Sequence, residues 1–233
     1  MPYKTERELQ LELSAVDFEF FDSHPISFFR REVRVGGCIP DLVSIYFNND
    51  PTMDSWTKKW AYKHSYIIWL FRKWGTLSLE QIASLCFESQ EHISPYVQDL
   101  RENDILFEGF NGKLHLSEQI AEIKSGVVAV EAKLSKWKDA LWQAIRYKDF
   151  ANIVFVAMDS TQIPGTSQVL QEFQKHQIGL CAVSPGNIKW IIYPELRESG
   201  LCHEKEYLVM SAMIPKTQTL WSRRNRVNAS SQA

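Results

Sequence analysis

Gly126-Val-Val-Ala-Val-Glu-Ala-Lys-Leu134 is the stretch on which the reading of this chain turns. Its continuous apolar run, bounded by a glycine, is that of a buried strand. Side chains on a strand alternate between faces, so Val128, Val130 and Ala132 share one face. Glu131 and Lys133 share the other, roughly 6–7 Å apart at their Cα atoms. A carboxylate and an ammonium on a buried strand are costly unless they pair or bind something. A strand this apolar that ends in Glu-x-Lys therefore marks a candidate site.

Composition bounds what that site can belong to. With 233 residues, 45% hydrophobic and 12% aromatic, the chain is long enough for one large domain or two small ones and apolar enough for a real core. The formal net charge of −2 gives no global attraction to nucleic acid, so any such contact must be local. Cys38, Cys86, Cys181 and Cys202 form no C-x-x-C pair. That argues against a zinc site or a secreted disulfide framework and for a reducing compartment. No signal-peptide pattern opens the chain and no apolar run is long enough to cross a bilayer, so a soluble, cytoplasmic protein with no membrane partner is expected. The histidines show no metal-ligand spacing.

Upstream of the strand, Thr5-Glu-Arg-Glu8 is a capping box that predicts a helix from Glu6, with Leu9, Leu13 and Val16 as its apolar stripe. Residues 27–35 read as a strand, Gly36-Gly37 as a turn, and Pro40-Asp41 through Phe47 as the returning strand. Residues 52–122 change character and read as an inserted module. Helices are expected over 61–73, from the Ser78-Leu-Glu-Gln81 capping box, and from Ser94-Pro95, followed by a hairpin around Asn111-Gly112. Three helices and a two-stranded wing are similar to a winged helix-turn-helix.

Downstream, Ser135 is the expected cap of a helix reaching about Phe150. A strand over 152–158, a helix over 167–176 and strands over 178–183 and 189–193 follow, which gives a mixed α/β sheet flanked by helices. The core is thus divided into 1–51 and 123–215, and 216–233 reads as a basic flexible tail.

Asp41 opens one strand and Glu131-Ala-Lys133 closes another. Two carboxylates and a lysine at neighbouring strand ends suit Mg²⁺-dependent phosphodiester cleavage, because carboxylate oxygens are hard ligands that Mg²⁺ accepts beside retained waters. On these residues the chain resembles the PD-(D/E)xK, restriction-endonuclease-like nucleases. Pro40-Asp41 and Glu131-x-Lys133 match the motif, and the order helix, strand, strand, strand, helix, strand matches that fold. The resemblance implies that Asp41 and Glu131 hold Mg²⁺ (or Mn²⁺) and that Lys133 positions or activates water. It adds a first-helix glutamate, Glu6 or else Glu12, and a Gln-x-x-x-Tyr motif, Gln143 to Tyr147, on the following helix. It implies DNA as substrate and a homodimer as one way to cut two strands.

Lys136, Lys138, Arg146 and Lys148, next to Lys133, form the expected phosphate-contacting patch. The spacing of about ninety residues between Asp41 and Glu131 exceeds what a hairpin needs, and the inserted module accounts for nearly all of it. A second Glu-x-Lys, Glu122-Ile-Lys124, is read as solvated surface. The third helix of the module, with Asp99, Glu102 and Asp104 against only Arg101, is poorly suited to enter a negatively charged groove, so DNA contact by the module would fall to lysines and arginines outside that helix, and a docking or dimerisation surface is the other reading. A non-catalytic DNA-binding protein on a degenerate nuclease scaffold, and a protein-interaction module, are the alternatives.

Overall fold

A computed structural model describes residues 3–15, 28–35, 37–47, 61–163, 165–197 and 202–212. Thr5 caps α1 (Glu6–Leu13), its hydroxyl accepting from the Glu8 amide at 3.2 Å while the Glu8 carboxylate accepts from the Lys4 amide at 2.8 Å. Leu9 and Leu13 are fully buried. Val16, expected on the same stripe, lies outside the described residues. β1 (Phe28–Arg31) and β2 (Leu42–Phe47) pair antiparallel, Arg31 opposite Leu42. The first strand ends sooner than its sequence predicts because Glu32 turns to φ +49°, a left-handed conformation that a ladder cannot continue through. Val35 and Cys38 then form a bridge of their own.

The middle of the chain folds as α2 (Tyr62–Trp74), α3 (Leu79–Leu85), α4 (Gln90–Glu102) and the hairpin of β3 (Leu106–Glu108) and β4 (Leu114–Leu116). Gly75, at φ +75°, ends α2, and Ser78 and Gln81 form the expected capping box. The hairpin turns through Asn111 and Gly112, both left-handed, as predicted. α4 departs from expectation. It is capped by Ser89, whose hydroxyl accepts from the His92 amide at 3.3 Å, and Pro95 lies inside the helix. Ser94-Pro95 imitates a helix start, but a better-placed serine five residues earlier captures the cap.

After α5 (Glu118–Ala121) come β5 (Ser125–Lys133), α6 (Trp137–Tyr147), β6 (Ile153–Asp159), α7 (Ser167–Lys175), β7 (Gly179–Ser184), β8 (Asn187–Ile192) and α8 (His203–Ala212). Lys136, not Ser135, occupies the cap position of α6 and makes no side-chain capping bond.

The six strands form one mixed sheet in the order β1-β2-β5-β6-β7-β8. β1, β2 and β5 are antiparallel neighbours, β5, β6 and β7 run parallel, and β8 returns antiparallel. Parallel neighbours require crossovers, and α6 and α7 supply them. α1 covers one face, packing Leu9 and Leu13 on Leu42, Val128, Val130 and Phe155. The other face packs Val43, Val127 and Ala129 together with residues of α2, α4, α6, α7 and α8 in one continuous cluster. Alternation along β5 therefore splits as its sequence predicts. Among the described residues, no helix is long and apolar enough to cross a membrane.

Candidate active site

β2 and β5 pair with Leu42 opposite Val130, so Asp41, the residue before Leu42, falls beside Glu131 at the rim of the sheet. The Asp41 carboxylate is held from two directions. Oδ2 accepts the Ala132 backbone N–H at 2.8 Å, and Oδ1 accepts the side-chain amide of Gln10 at 2.9 Å. Glu131 is 1% exposed, one oxygen accepting the Tyr147 hydroxyl at 2.5 Å and the other facing the Lys133 ammonium at 3.1 Å. Lys133 also reaches Glu6 at 3.3 Å. Four segments of chain thus converge: α1 with Glu6 and Gln10, the start of β2, the end of β5, and α6 with Tyr147.

The electrostatics follow from this packing. Burial first, and then the neighbouring Asp41 charge, push the Glu131 carboxyl up to about 7, against the pull of Tyr147 and Lys133. Burial also raises Asp41, although the Ala132 hydrogen bond and Lys133 oppose it. For Lys133 burial acts downward, but Glu131, Asp41 and Glu6 outweigh it and hold the ammonium above its ordinary value. Burial and the Glu131 charge keep the Tyr147 hydroxyl protonated as a donor. Three carboxylates face one ammonium, an arrangement that a further cation would relieve.

The donor chemistry fits a hard divalent cation. Asp41 and Glu131 offer carboxylate oxygens, each of which keeps a free lone pair beyond the hydrogen bond it already accepts. Among the described residues, no group of three or more His, Cys, Asp or Glu side chains is placed to enclose an ion. A metal at this rim would be held by two carboxylates and keep several waters, which is how Mg²⁺ is commonly bound.

The other expected residues separate into those the fold brings in and those it does not. Of the two first-helix glutamates, Glu6 joins the site, whereas Glu12 accepts the Gly186 amide at 2.7 Å beside the β7–β8 turn. Of the Gln-x-x-x-Tyr pair only Tyr147 is engaged. It lies on the buried stripe of α6 with Ala140 and Ala144, while half-buried Gln143 has no hydrogen-bond partner among the described residues.

The basic patch divides as well. Lys136, Lys138 and Arg146 are exposed, Arg146 donating to the Gly37 carbonyl at 2.8 Å, whereas Lys148 turns to α7 and donates to the His176 carbonyl at 2.9 Å. Burial lowers the Lys148 ammonium pKa, which suits a structural tie better than a phosphate contact. Glu122 and Lys124 are both exposed, in line with the surface reading of that second motif.

Gln10 is not among the site residues that the sequence singles out, because its side chain is uncharged. Its one sequence cue is its position four residues after Glu6, on the same helical face. Asp159 was also missed. Buried at the end of β6, it accepts from the Tyr3 amide at 2.7 Å and from the Thr161 amide and hydroxyl at 2.8 and 2.7 Å. It thereby moors the segment that leads into α1. Compared with known proteins, the chain matches no protein-family model, no curated protein and no solved structure.

Proposed function

We propose that this chain is a Mg²⁺-dependent deoxyribonuclease that hydrolyses phosphodiester bonds at the rim formed by Asp41, Glu131 and Lys133. The observation that carries the proposal is a buried carboxylate, Glu131, raised to about 7 and flanked by a second carboxylate and a fixed ammonium. Such a group is costly to fold, and clusters of this kind are found where chemistry is done. The element order α1-β1-β2-β5-α6-β6, three antiparallel strands followed by a parallel one, is what the restriction-endonuclease-like resemblance leads one to expect. The helices and hairpin over 62–116 are compatible with an inserted winged helix-turn-helix. Its third helix keeps its acidic character: Asp99 meets His64 at 3.2 Å and Glu102 accepts from the neutral Gln98 amide at 3.0 Å, while the His64 Nδ1 accepts from the Ala61 amide.

Asp41 and Glu131 would hold the metal, which supplies a water of lowered pKa and neutralises charge on the scissile phosphate. Gln10 and the Ala132 amide fix Asp41, and Tyr147 fixes Glu131, so neither carboxylate has to reorganise. Lys133, steered by Glu131 and Glu6, presents an ammonium that stabilises the attacking oxygen or the phosphate oxygens.

The test is cleavage of supercoiled plasmid, branched DNA and single-stranded DNA with Mg²⁺ or Mn²⁺, with Asp41→Ala and Lys133→Ala in parallel. Metal-dependent cutting lost in both variants is expected. DNA binding without cleavage on every substrate would favour a non-catalytic scaffold, and cutting that survives both substitutions would place the chemistry elsewhere.

A further inference from the structure

Outside the catalytic rim, the outer face of α6 carries a pattern that the proposed chemistry does not use. Trp142 is 63% exposed, although exposing an indole this fully forfeits the burial it would otherwise gain. Lys138 and Arg146 stand four residues to either side, hence on the same face of the helix. Both are exposed, Arg146 also donating to the Gly37 carbonyl at 2.8 Å, and with Lys136 they give three exposed cations against two carboxylates, Asp139 and Asp149, over 136–149.

Behind Trp142 a cleft of about 380 Å³ opens between α6 and α7. Trp137, Leu141 and Val169 give it apolar walls, and Lys138, Glu172 and His176 line it with polar groups. The Trp142 ring lies 6.1 Å from the His176 ring at 53°, so His176 supports one side of the indole and leaves it accessible. The Lys138 ammonium sits 5.5 Å from the Trp137 ring. Trp137 is four residues beyond Lys133, so this surface begins beside the catalytic rim.

An exposed indole flanked by cations suits one ligand chemistry well. Each unpaired base offers a π-face for stacking, and each phosphate offers a charge for the neighbouring lysine or arginine. In a duplex the bases are already stacked on one another, so an indole gains little from it. We infer that the α6–α7 face is a binding track for single-stranded DNA, which stacks a base on Trp142, sets its phosphates on Lys138 and Arg146, and leads the strand to the rim at Asp41 and Glu131. This inference deepens the nuclease proposal by assigning its substrate class, and it rests on that proposal only for the last step.

Binding can be measured apart from cleavage. Fluorescence anisotropy of a short labelled oligodeoxythymidylate and of the matching duplex is followed without divalent metal, using the full chain, Trp142→Ala, Trp142→Phe, Lys138→Gln and Lys124→Gln. The single strand is expected to bind tighter than the duplex. Trp142→Ala should weaken it roughly tenfold or more, as loss of one base–aromatic stack does. Trp142→Phe should restore most of that affinity, and Lys138→Gln should reduce the salt slope by about 0.7, the share of one phosphate contact. Lys124→Gln, at an exposed lysine away from this face, should bind as the wild type does.

Equal affinity for single strand and duplex, or an unchanged affinity in Trp142→Ala, would overturn the inference even if the protein cuts DNA. Self-association that Trp142→Ala abolishes, with single-strand affinity intact, would assign the face to a second copy of the chain instead. Absence of cleavage with the expected binding pattern would leave the track standing and overturn only the nuclease proposal.

Discussion

Glu131, at 1% exposure beside Asp41, has its carboxyl pushed from the ordinary 4.5 up to about 7. A carboxyl raised by folding binds its proton more tightly in the native state, so its contribution to stability is fully present below pH 4.5 and is lost as pH rises through about 7. That shift corresponds to something on the order of 3 kcal/mol. The metal-free protein should therefore be less stable to urea near pH 8 than near pH 5, and Glu131→Gln should flatten the dependence. A wild type and a variant with parallel profiles would contradict it.

Gln10 is the second residue whose role is open to direct measurement. It donates to a charged acceptor and is itself buried, so Gln10→Ala should cost about 2 kcal/mol. In a double-mutant cycle with Asp41→Ala the two losses should fall short of additive. Strict additivity would mean the contact does not couple them.

At the scale of elements, α2 and α8 show how the middle of the chain is joined to the sheet. The Arg72 guanidinium pairs with Glu206 at 2.8 Å and donates to the carbonyls of Ile120 and Ala121 at 2.8 and 3.2 Å. Glu206 is buried, and burial raises its carboxyl despite Arg72. Removing one partner leaves the other charge stranded, so Arg72→Met should destabilise by about 3 kcal/mol. Adding Glu206→Gln should recover part of that loss in thermal melts, and no recovery would assign the effect to the carbonyl contacts.

Elements were legible where one local pattern decided them. β5 could be read because it is a single apolar run whose alternation sorts Val128, Val130 and Ala132 from Glu131 and Lys133, and α1 and α3 because Thr5 and Ser78 cap them as their sequences predict, with the reciprocal bond of the box completed in α3. α8 was not legible, because Leu208, Val209 and Met210 are buried consecutively rather than on a stripe, as on a helix packed from several sides. The start of α4 was misplaced because Ser94-Pro95 carries the same chemistry as a true cap.

Across the whole molecule, the candidate site sits where the two faces of the sheet meet at one rim. α1 brings Glu6 and Gln10 from one face, and α6 brings Tyr147 from the other. Asp41, Glu131, Lys133, Tyr147 and Glu6 could be named in advance because each belongs to a spaced motif. Their convergence could not be, since it depends on the β2–β5 register and on the tilt of α1, which no local pattern encodes. Gln143 illustrates the converse: its spacing to Tyr147 was right, but rotation of α6 gives the contact with Glu131 to the tyrosine alone.

The most direct measurement is Mg²⁺-dependent DNA cleavage by Glu131→Gln beside the wild type, with stability measured on the same preparations. Glutamine keeps an oxygen to accept from Tyr147 and carries no charge with which to hold a cation. The variant should be folded, at least as stable as the wild type above pH 7, and inactive. A folded Glu131→Gln that cuts DNA as the wild type does would contradict the assignment of this rim as the catalytic centre.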